Sequence, residues 1–244
     1  MTEPVSRMPA PSPAGSDRAG LSLTDRTRHR RLREQGRNDR ADLQAVLRAG
    51  FIAHLGLVAD GAPMVVPTSY GFDDDHLYLH GSVASRSLQA DPGAQMCVTI
   101  TLIDGLVLAR SVFEHAVNYR SAMIYGVPRL VTDADEKLRG LRCLSEHLAP
   151  GQWNYVRQPS RKELAATSLL ALPLDEASVK IRTGPPDDAD SPDAALNLWA
   201  GELPLTCIWG EPVPDPALPA GIGVPAHVQT RAGTAAFRDA PPAT

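Results

Sequence analysis

Apolar and polar positions alternate in short runs from residue 51 onward, a period of two that predicts strands joined by tight turns. Residues 51–58 read as one strand, and Asp60-Gly61 behind them is a strong two-residue hairpin signal. Residues 64–72 pair back, Asp73-Asp74-Asp75 turns the chain, and residues 77–80 return. Residues 96–103 alternate Cys97, Thr99 and Thr101 with apolar neighbours, as a half-buried strand does. Residues 106–109 and 119–131 continue the series, and later strands are expected at 167–172, 177–183 and 203–209.

Helical spacing interrupts this pattern in a few places. Asn38 or Asp39 caps a short amphipathic helix with Leu43, Val46 and Leu47 on one face and Gly50 as its stop. A short helix is expected around residues 86–90, before Pro92-Gly93. Thr132-Asp133 opens a longer one to about residue 148, with Leu138, Leu141, Leu144 and Leu148 in helical register and His147 on its surface. Ser160-x-x-Glu163 is a capping box for another. Many short, hairpin-linked strands with a few flanking helices predict a mainly β fold, a closed antiparallel barrel. No sustained strand–helix alternation supports a doubly wound sheet.

Composition sets the limits of this domain. Residues 1–20 are rich in Pro, Ser, Ala and Gly without periodicity and are expected to be disordered. Seven arginines crowd residues 26–40 against Glu34 and Asp39. Such a run suits nucleic acid or an acidic surface, but the net charge of −4 over 244 residues favours a solvated arm and argues against nucleic acid as partner. Seven prolines among residues 211–244 predict an irregular tail. The chain therefore divides into an Arg-rich arm at 1–37, a folded domain at 38–212 and a Pro-rich tail at 213–244. The 43% apolar and 21% charged residues are those of a soluble globular protein. Cys97, Cys143 and Cys207 are isolated, so neither a disulfide framework nor a zinc site is suggested, and reduced thiols in a cytoplasmic protein are expected. No run reaches membrane-spanning length, and the N-terminus lacks the apolar core of a signal peptide.

The chemistry concentrates where the strand at 77–80 ends. Gly81 and Ser82 deliver the strand to a helix start, which gathers free backbone N–H groups, hydroxyl donors and the positive end of a dipole. Gly81 lets a ligand approach the backbone, and Arg86 beside Ser85 adds a permanently charged fork. A phosphate site and an ordinary helix cap by Ser82 or Ser85, with Arg86 exposed, both satisfy this pattern. His80 taken alone is more often a packed imidazole than a ligand or base.

Several motifs together resemble one family. Val65-Val66-Pro67-Thr68-Ser69-Tyr70, Leu77-Tyr78-Leu79-His80-Gly81-Ser82 and Ser85-Arg86 are followed by Asn118-Tyr119-Arg120-Ser121 before Ile124-Tyr125-Gly126. Lys180-x-Arg182-Thr183-Gly184-Pro185-Pro186 and Trp199-Ala200-Gly201-x-Leu203-Pro204 complete the series, over about residues 38–206. This order resembles the pyridoxamine 5′-phosphate oxidase-like proteins of the FMN-binding split-barrel fold, in the flavin-nucleotide-binding branch related to nitroimidazole-resistance proteins. The resemblance implies a homodimer with two FMN sites shared between subunits and a small-molecule substrate. It implies that the backbone of Val66, Pro67, Thr68 and Ser69 edges the flavin ring. His80 and Gly81 stand beside the phosphate group, held by Ser82, Ser85 and Arg86, while Asn118, Tyr119, Arg120 and Ser121 contribute from a neighbouring strand or the partner chain.

Trp199 either covers the flavin or approaches the partner, or simply packs between Gly and Pro. Lys180 and Arg182, two apart on a strand, share a face that attracts an anionic substrate or is merely solvated. The substrate signature of the oxidase itself, with its C-terminal arginine and histidine, is absent, which argues against pyridoxamine phosphate as the substrate. Three functions follow. The first is an FMN-dependent oxidoreductase on a small molecule, and the second a flavin carrier or sensor without turnover. The third is a haem or deazaflavin protein on the same fold, with His80 or His54 as the axial ligand in the haem case.

Overall fold

The computed structural model describes residues 20–85 and 93–237. In chain order these residues form β1 (Gly36–Arg37), α1 (Arg40–Ala49), β2 (Ile52–Ala59), β3 (Ala62–Phe72), β4 (His76–Ser82), β5 (Met96–Leu108) and β6 (Ala116–Gly126). There follow β7 (Arg129–Leu130), α2 (Ala134–Leu148), α3 (Gln152–Tyr155), α4 (Arg161–Ala166), β8 (Thr167–Pro173), β9 (Ala177–Arg182), β10 (Gly201–Pro204) and α5 (Ala226–Gln229). The helix expected around residues 86–90 lies outside the described residues, as does Arg86. No helix among the described residues is long and apolar enough to cross a membrane.

The strands pair antiparallel in the order β1-β9-β6-β5-β2-β3-β4-β8-β7, with β10 beside β5. The closed barrel expected from the sequence is not formed, because β1 and β7 do not pair with each other among the described residues. Each is two residues long, too short to carry a closing ladder. The sheet nevertheless wraps one core, in which Leu55, Leu77, Ile100, Ile124 and Leu172 from five strands are fully buried. α1 plugs one end with Leu43, Val46 and Leu47, the face that its spacing predicts. The hairpin at Asp60-Gly61 forms as expected, both residues taking positive φ (52° and 75°), the backbone of a type I′ turn.

β3 changes partner along its length. Its first eight residues pair with β2, Ala62 to Ala59 through Ser69 to Ile52, and its last three pair with β4, from Tyr70↔Leu79 to Phe72↔Leu77. Tyr70 sits at the switch, buried, with its hydroxyl donating towards the carbonyls of Leu47 and Gly50 (2.8 and 2.9 Å). α2 covers the outside of β3 and β4 through a second cluster of Tyr78, Leu144, Leu169 and Ala171. Asp133 caps α2 by accepting from the Glu136 N–H (2.8 Å), and Ser160 with Glu163 makes the expected capping box on α4.

Four further expectations change. The Arg-rich arm, read as unstructured to residue 37, packs on the domain from Gly20 onward. Leu21 enters the core, Thr27 is buried, Arg26 pairs with Glu176 at 2.5 Å and β1 extends β9. Glu176 lies 150 residues away, so no local pattern announces it. The strand expected at 203–209 shortens to β10, and the proline-rich tail, irregular apart from α5, folds back so that Trp209 and Phe237 lie against Phe51. His147 is not a surface residue. It sits among Tyr70, Phe72 and Phe51 and meets the Gly50 carbonyl at 2.8 Å.

Candidate functional site

The switch in β3 opens the sheet. Beyond Tyr70↔Leu79, Val66, Pro67, Thr68 and Ser69 stay with Leu55, His54, Ala53 and Ile52 of β2. His80, Gly81 and Ser82 instead follow β8, opposite Leu169, Ser168 and Thr167. The facing edges of these two segments have no strand partner among the described residues, so a cleft lined by backbone N–H and C=O groups begins there. The VPTS and HGS motifs, separated in sequence by residues 70–79, thus bound one opening.

After Ser82 the chain turns sharply. Ser85 N–H donates to the Ser82 carbonyl (2.9 Å), and Ala84 N–H donates to Ser82 Oγ (3.2 Å). The Ser82 hydroxyl therefore holds the turn as an acceptor while its own proton is left to donate. This contact is the cap-like one that the sequence allowed, and it is compatible with an anion above the turn.

β6 divides the Asn118–Ser121 motif between two faces, because successive side chains point to opposite sides. Tyr119 and Ser121 lie on the outer face, in cross-strand rows with Arg182 and Lys180 of β9 and with Ile103 and Thr101 of β5. His54, Pro67 and Thr99 form a further row on that face, which also exposes Ile52, Val65, Ile103 and Met123. Asn118 and Arg120 point inward and are buried. Arg120 grips Asp104 through two nitrogens (2.7 and 2.9 Å). Asn118 donates to Glu202 Oε2 (2.6 Å) and accepts from Arg182 Nη1 (2.5 Å). These contacts tie β10 and the start of the 183–200 loop to β6. Arg182 also donates to the Gly184 and Pro185 carbonyls, so it braces this loop, whereas Lys180 has no ion pair among the described residues. Trp199 is 69% exposed, its ring edge against Gly201.

Sequence reasoning missed what lies on the other side of His80. The imidazole shares the α2 side of β4 with Tyr78 and lines a pocket of about 460 Å³ with Leu141, Leu144, Leu148 and Trp153. The His80 ring makes no hydrogen bond among the described residues. It is open to solvent at one edge, yet the helix beside it withdraws enough water to lower its pKa and favour the neutral ring. Arg157, paired with Glu163 at 2.6 Å, stands at the pocket mouth. Leu141, Leu144 and Leu148 were legible as one helix face, but not as the wall of a pocket facing a strand 60 residues earlier.

The comparisons fit this geometry. A family model described as pyridoxamine 5′-phosphate oxidase matches residues 39–181. The flavocytochrome Anf3 of Azotobacter vinelandii superposes with a TM-score of 0.81 at 37% identity, covering 86% of this chain and 98% of that one. An FAD and haem binding protein of Mycobacterium smegmatis gives 0.77 at 38% identity, covering 83% and 99%. A protein assigned to 5-nitroimidazole antibiotic resistance in Bacteroides thetaiotaomicron, at 22% identity and a TM-score of 0.51 over 60% of this chain and 86% of that one, shares the fold. No curated protein matches the chain. With its family model, its split sheet and its full-length structural relatives in agreement, the chain belongs to the pyridoxamine 5′-phosphate oxidase family.

Proposed function

We propose that this protein is a flavin-dependent oxidoreductase that moves electrons to or from a small molecule, works as a homodimer in the cytoplasm, and carries a haem beside its flavin. The observation that carries the flavin reading is the cleft between β3 and β4, bounded by residues 66–69 on one side and by the Gly81–Ser85 turn on the other. A bound flavin would supply one- and two-electron chemistry at this cleft. The chain's own part is to bind and orient. Backbone groups of residues 66–69 edge the ring, and the N–H groups and hydroxyls of the turn, with Arg86, take the phosphate. FMN is the form carried over from the motifs, while FAD is named for the M. smegmatis relative. The outer face around Ile52, Val65, Ile103 and Met123 is the surface for the second subunit, bringing Ser121 and Lys180 to a shared site. A stable dimer of this kind buries about 2,000 Å² or more.

Haem enters on a separate observation. A neutral imidazole without a protein partner among the described residues, facing a largely apolar pocket of about 460 Å³, would offer haem iron a nitrogen donor, and Arg157, paired with Glu163 at the same pocket, could meet an acidic group of the haem. The flavocytochrome and the FAD and haem binding protein support the pairing of the two groups.

The absorption spectrum of the purified protein, before and after reconstitution with FMN, FAD and haemin, tests both parts. Flavin bands together with a Soret band are expected. In His80→Ala the Soret band should collapse while the flavin bands persist, with His54→Ala unchanged. A deazaflavin spectrum, or no uptake of any of these groups, overturns the reading. A Soret band that survives His80→Ala overturns the ligand. Sedimentation of the flavin-loaded protein as a monomer overturns the dimer.

A further inference from the structure

A second pocket, of about 420 Å³, lies where the folded-back tail meets the ends of α1 and α2. Residues 66–69 and 80–85 do not line it. Its walls are aromatic: Phe51 and Trp209 meet edge to face with centroids 5.4 Å apart. Arg231 lies over the Trp209 ring at 4.3 Å and donates to the Leu148 carbonyl (2.7 Å). It has no ion pair among the described residues, although loss of water lowers its pKa. Arg48, on the last turn of α1, reaches the same pocket and is likewise without an ion pair among the described residues. His147 and His227 complete the polar lining, the first held by Gly50 and the second by Gln152 (2.7 Å). No carboxylate of the described residues lines this space.

Two arginines face one cavity without a counter-ion among the described residues, and the Arg231 guanidinium is partly removed from water. Among the described residues only one of the five N–H groups of Arg231 is engaged, so its fork is available. An anion answers the charge, and the Phe51 and Trp209 surfaces answer a flat ring. We propose that this pocket binds a planar heteroaromatic anion of the adenylate type, its phosphate between Arg48 and Arg231 and its ring against Phe51 and Trp209. Two sources present that chemistry. One is a free nucleotide. The other is the distal half of a dinucleotide flavin, since Ile52, next to Phe51, pairs with Ser69 at the edge of the cleft. Only the dinucleotide source rests on the flavin reading above.

The full-length protein, stripped of cofactor, is titrated with AMP, adenosine and inorganic phosphate while tryptophan fluorescence and heat are recorded. AMP should bind at least about tenfold more tightly than adenosine or phosphate, as charged hydrogen bonds plus ring burial require. Arg48→Gln, an exposed and conservative change, should weaken AMP about tenfold or more, and Arg231→Gln more strongly. FAD and FMN affinities of Arg48→Gln then separate the sources. A loss for FAD alone assigns the dinucleotide, and unchanged affinity for both with AMP weakened assigns a free nucleotide. The proposal is overturned if AMP and adenosine bind alike, if AMP shows no saturable signal, if Arg48→Gln binds AMP normally, or if FMN and FAD weaken equally. Should the protein take up no flavin at all, the AMP titration still decides.

Discussion

Gly71 is the residue on which the seating of α2 depends. It lies on β3 directly under the helix, and a Cβ there would stand 2.3 Å from Leu144 N and 2.6 Å from Leu144 Cα and Cys143 C. These are backbone atoms, so no rotamer change relieves the clash. Ordinary contact begins at 3.4 Å, and the helix must retreat by roughly an ångström. A gap of that size forfeits about a quarter to a half of each dispersion contact it opens. Leu144, 3% exposed, is the main residue α2 buries against Tyr78 and Leu169. With ~40–60 contacts of ~0.1–0.2 kcal/mol for a buried leucine, and about half of them across the interface, its share alone is about 0.5–3 kcal/mol. Gly71→Ala should therefore cost about 3 kcal/mol or more once Leu141 and the helix neighbours are included, within the upper range of overpacking. The midpoint of urea denaturation should fall with little change in slope, and Tm should drop by roughly 6–12 °C for a domain of this size. Gly210, where a Cβ meets nothing within 4 Å, is the control, and Gly210→Ala should be neutral or slightly stabilising. A Gly71→Ala protein within about 0.5 kcal/mol of wild type would refute the argument that backbone contact sets the helix position.

Arg86→Ala should lose about 1.5–3 kcal/mol of FMN affinity, as expected for a charged hydrogen bond, and leave riboflavin affinity unchanged; equal losses in parallel titrations would remove its phosphate role. Asp104→Ala removes the carboxylate that the buried Arg120 grips through two nitrogens and should destabilise by about 2–3 kcal/mol, less than a wholly buried pair because the Asp104 side chain keeps 28% exposure; denaturation within about 0.5 kcal/mol of wild type would contradict this. Burial, with Arg231 acting in the same direction, lowers the His147 pKa against the opposing Gly50 contact, so the folded state holds fewer protons than the unfolded one. Stability from this residue is thus complete above the unfolded value of 6.5 and declines as pH falls below it towards the folded pKa. Denaturation of wild type and His147→Gln at about pH 7.5 and about pH 5.5 should show a smaller acid loss in the variant, and identical losses would contradict the assignment.

Local signals carried a large part of this fold. The alternation of residues 96–103, the Asp60-Gly61 turn, the Leu43–Val46–Leu47 stripe and the Ser160–Glu163 box each depend on neighbours a few residues away, and each element forms where its pattern predicts. The ordered series of motifs likewise made the family legible, although β3, β4, β6 and β9, which carry them, do not follow sequence order across the sheet. Tertiary structure decided the rest. Whether the sheet closes depends on edge strands two residues long, a matter of global geometry to which a period of two is blind. The motif at 118–121 reads as one group in sequence, but strand alternation sends Tyr119 and Ser121 outward and buries Asn118 and Arg120, whose partners Glu202 and Asp104 lie 84 and 16 residues away. The pocket beside His80 needs α2, and the pocket of Arg48 and Arg231 needs a tail that composition described only as irregular. Short-range backbone preferences are written residue by residue. Pockets and ion pairs are made by parts of the chain that meet only after the core has formed.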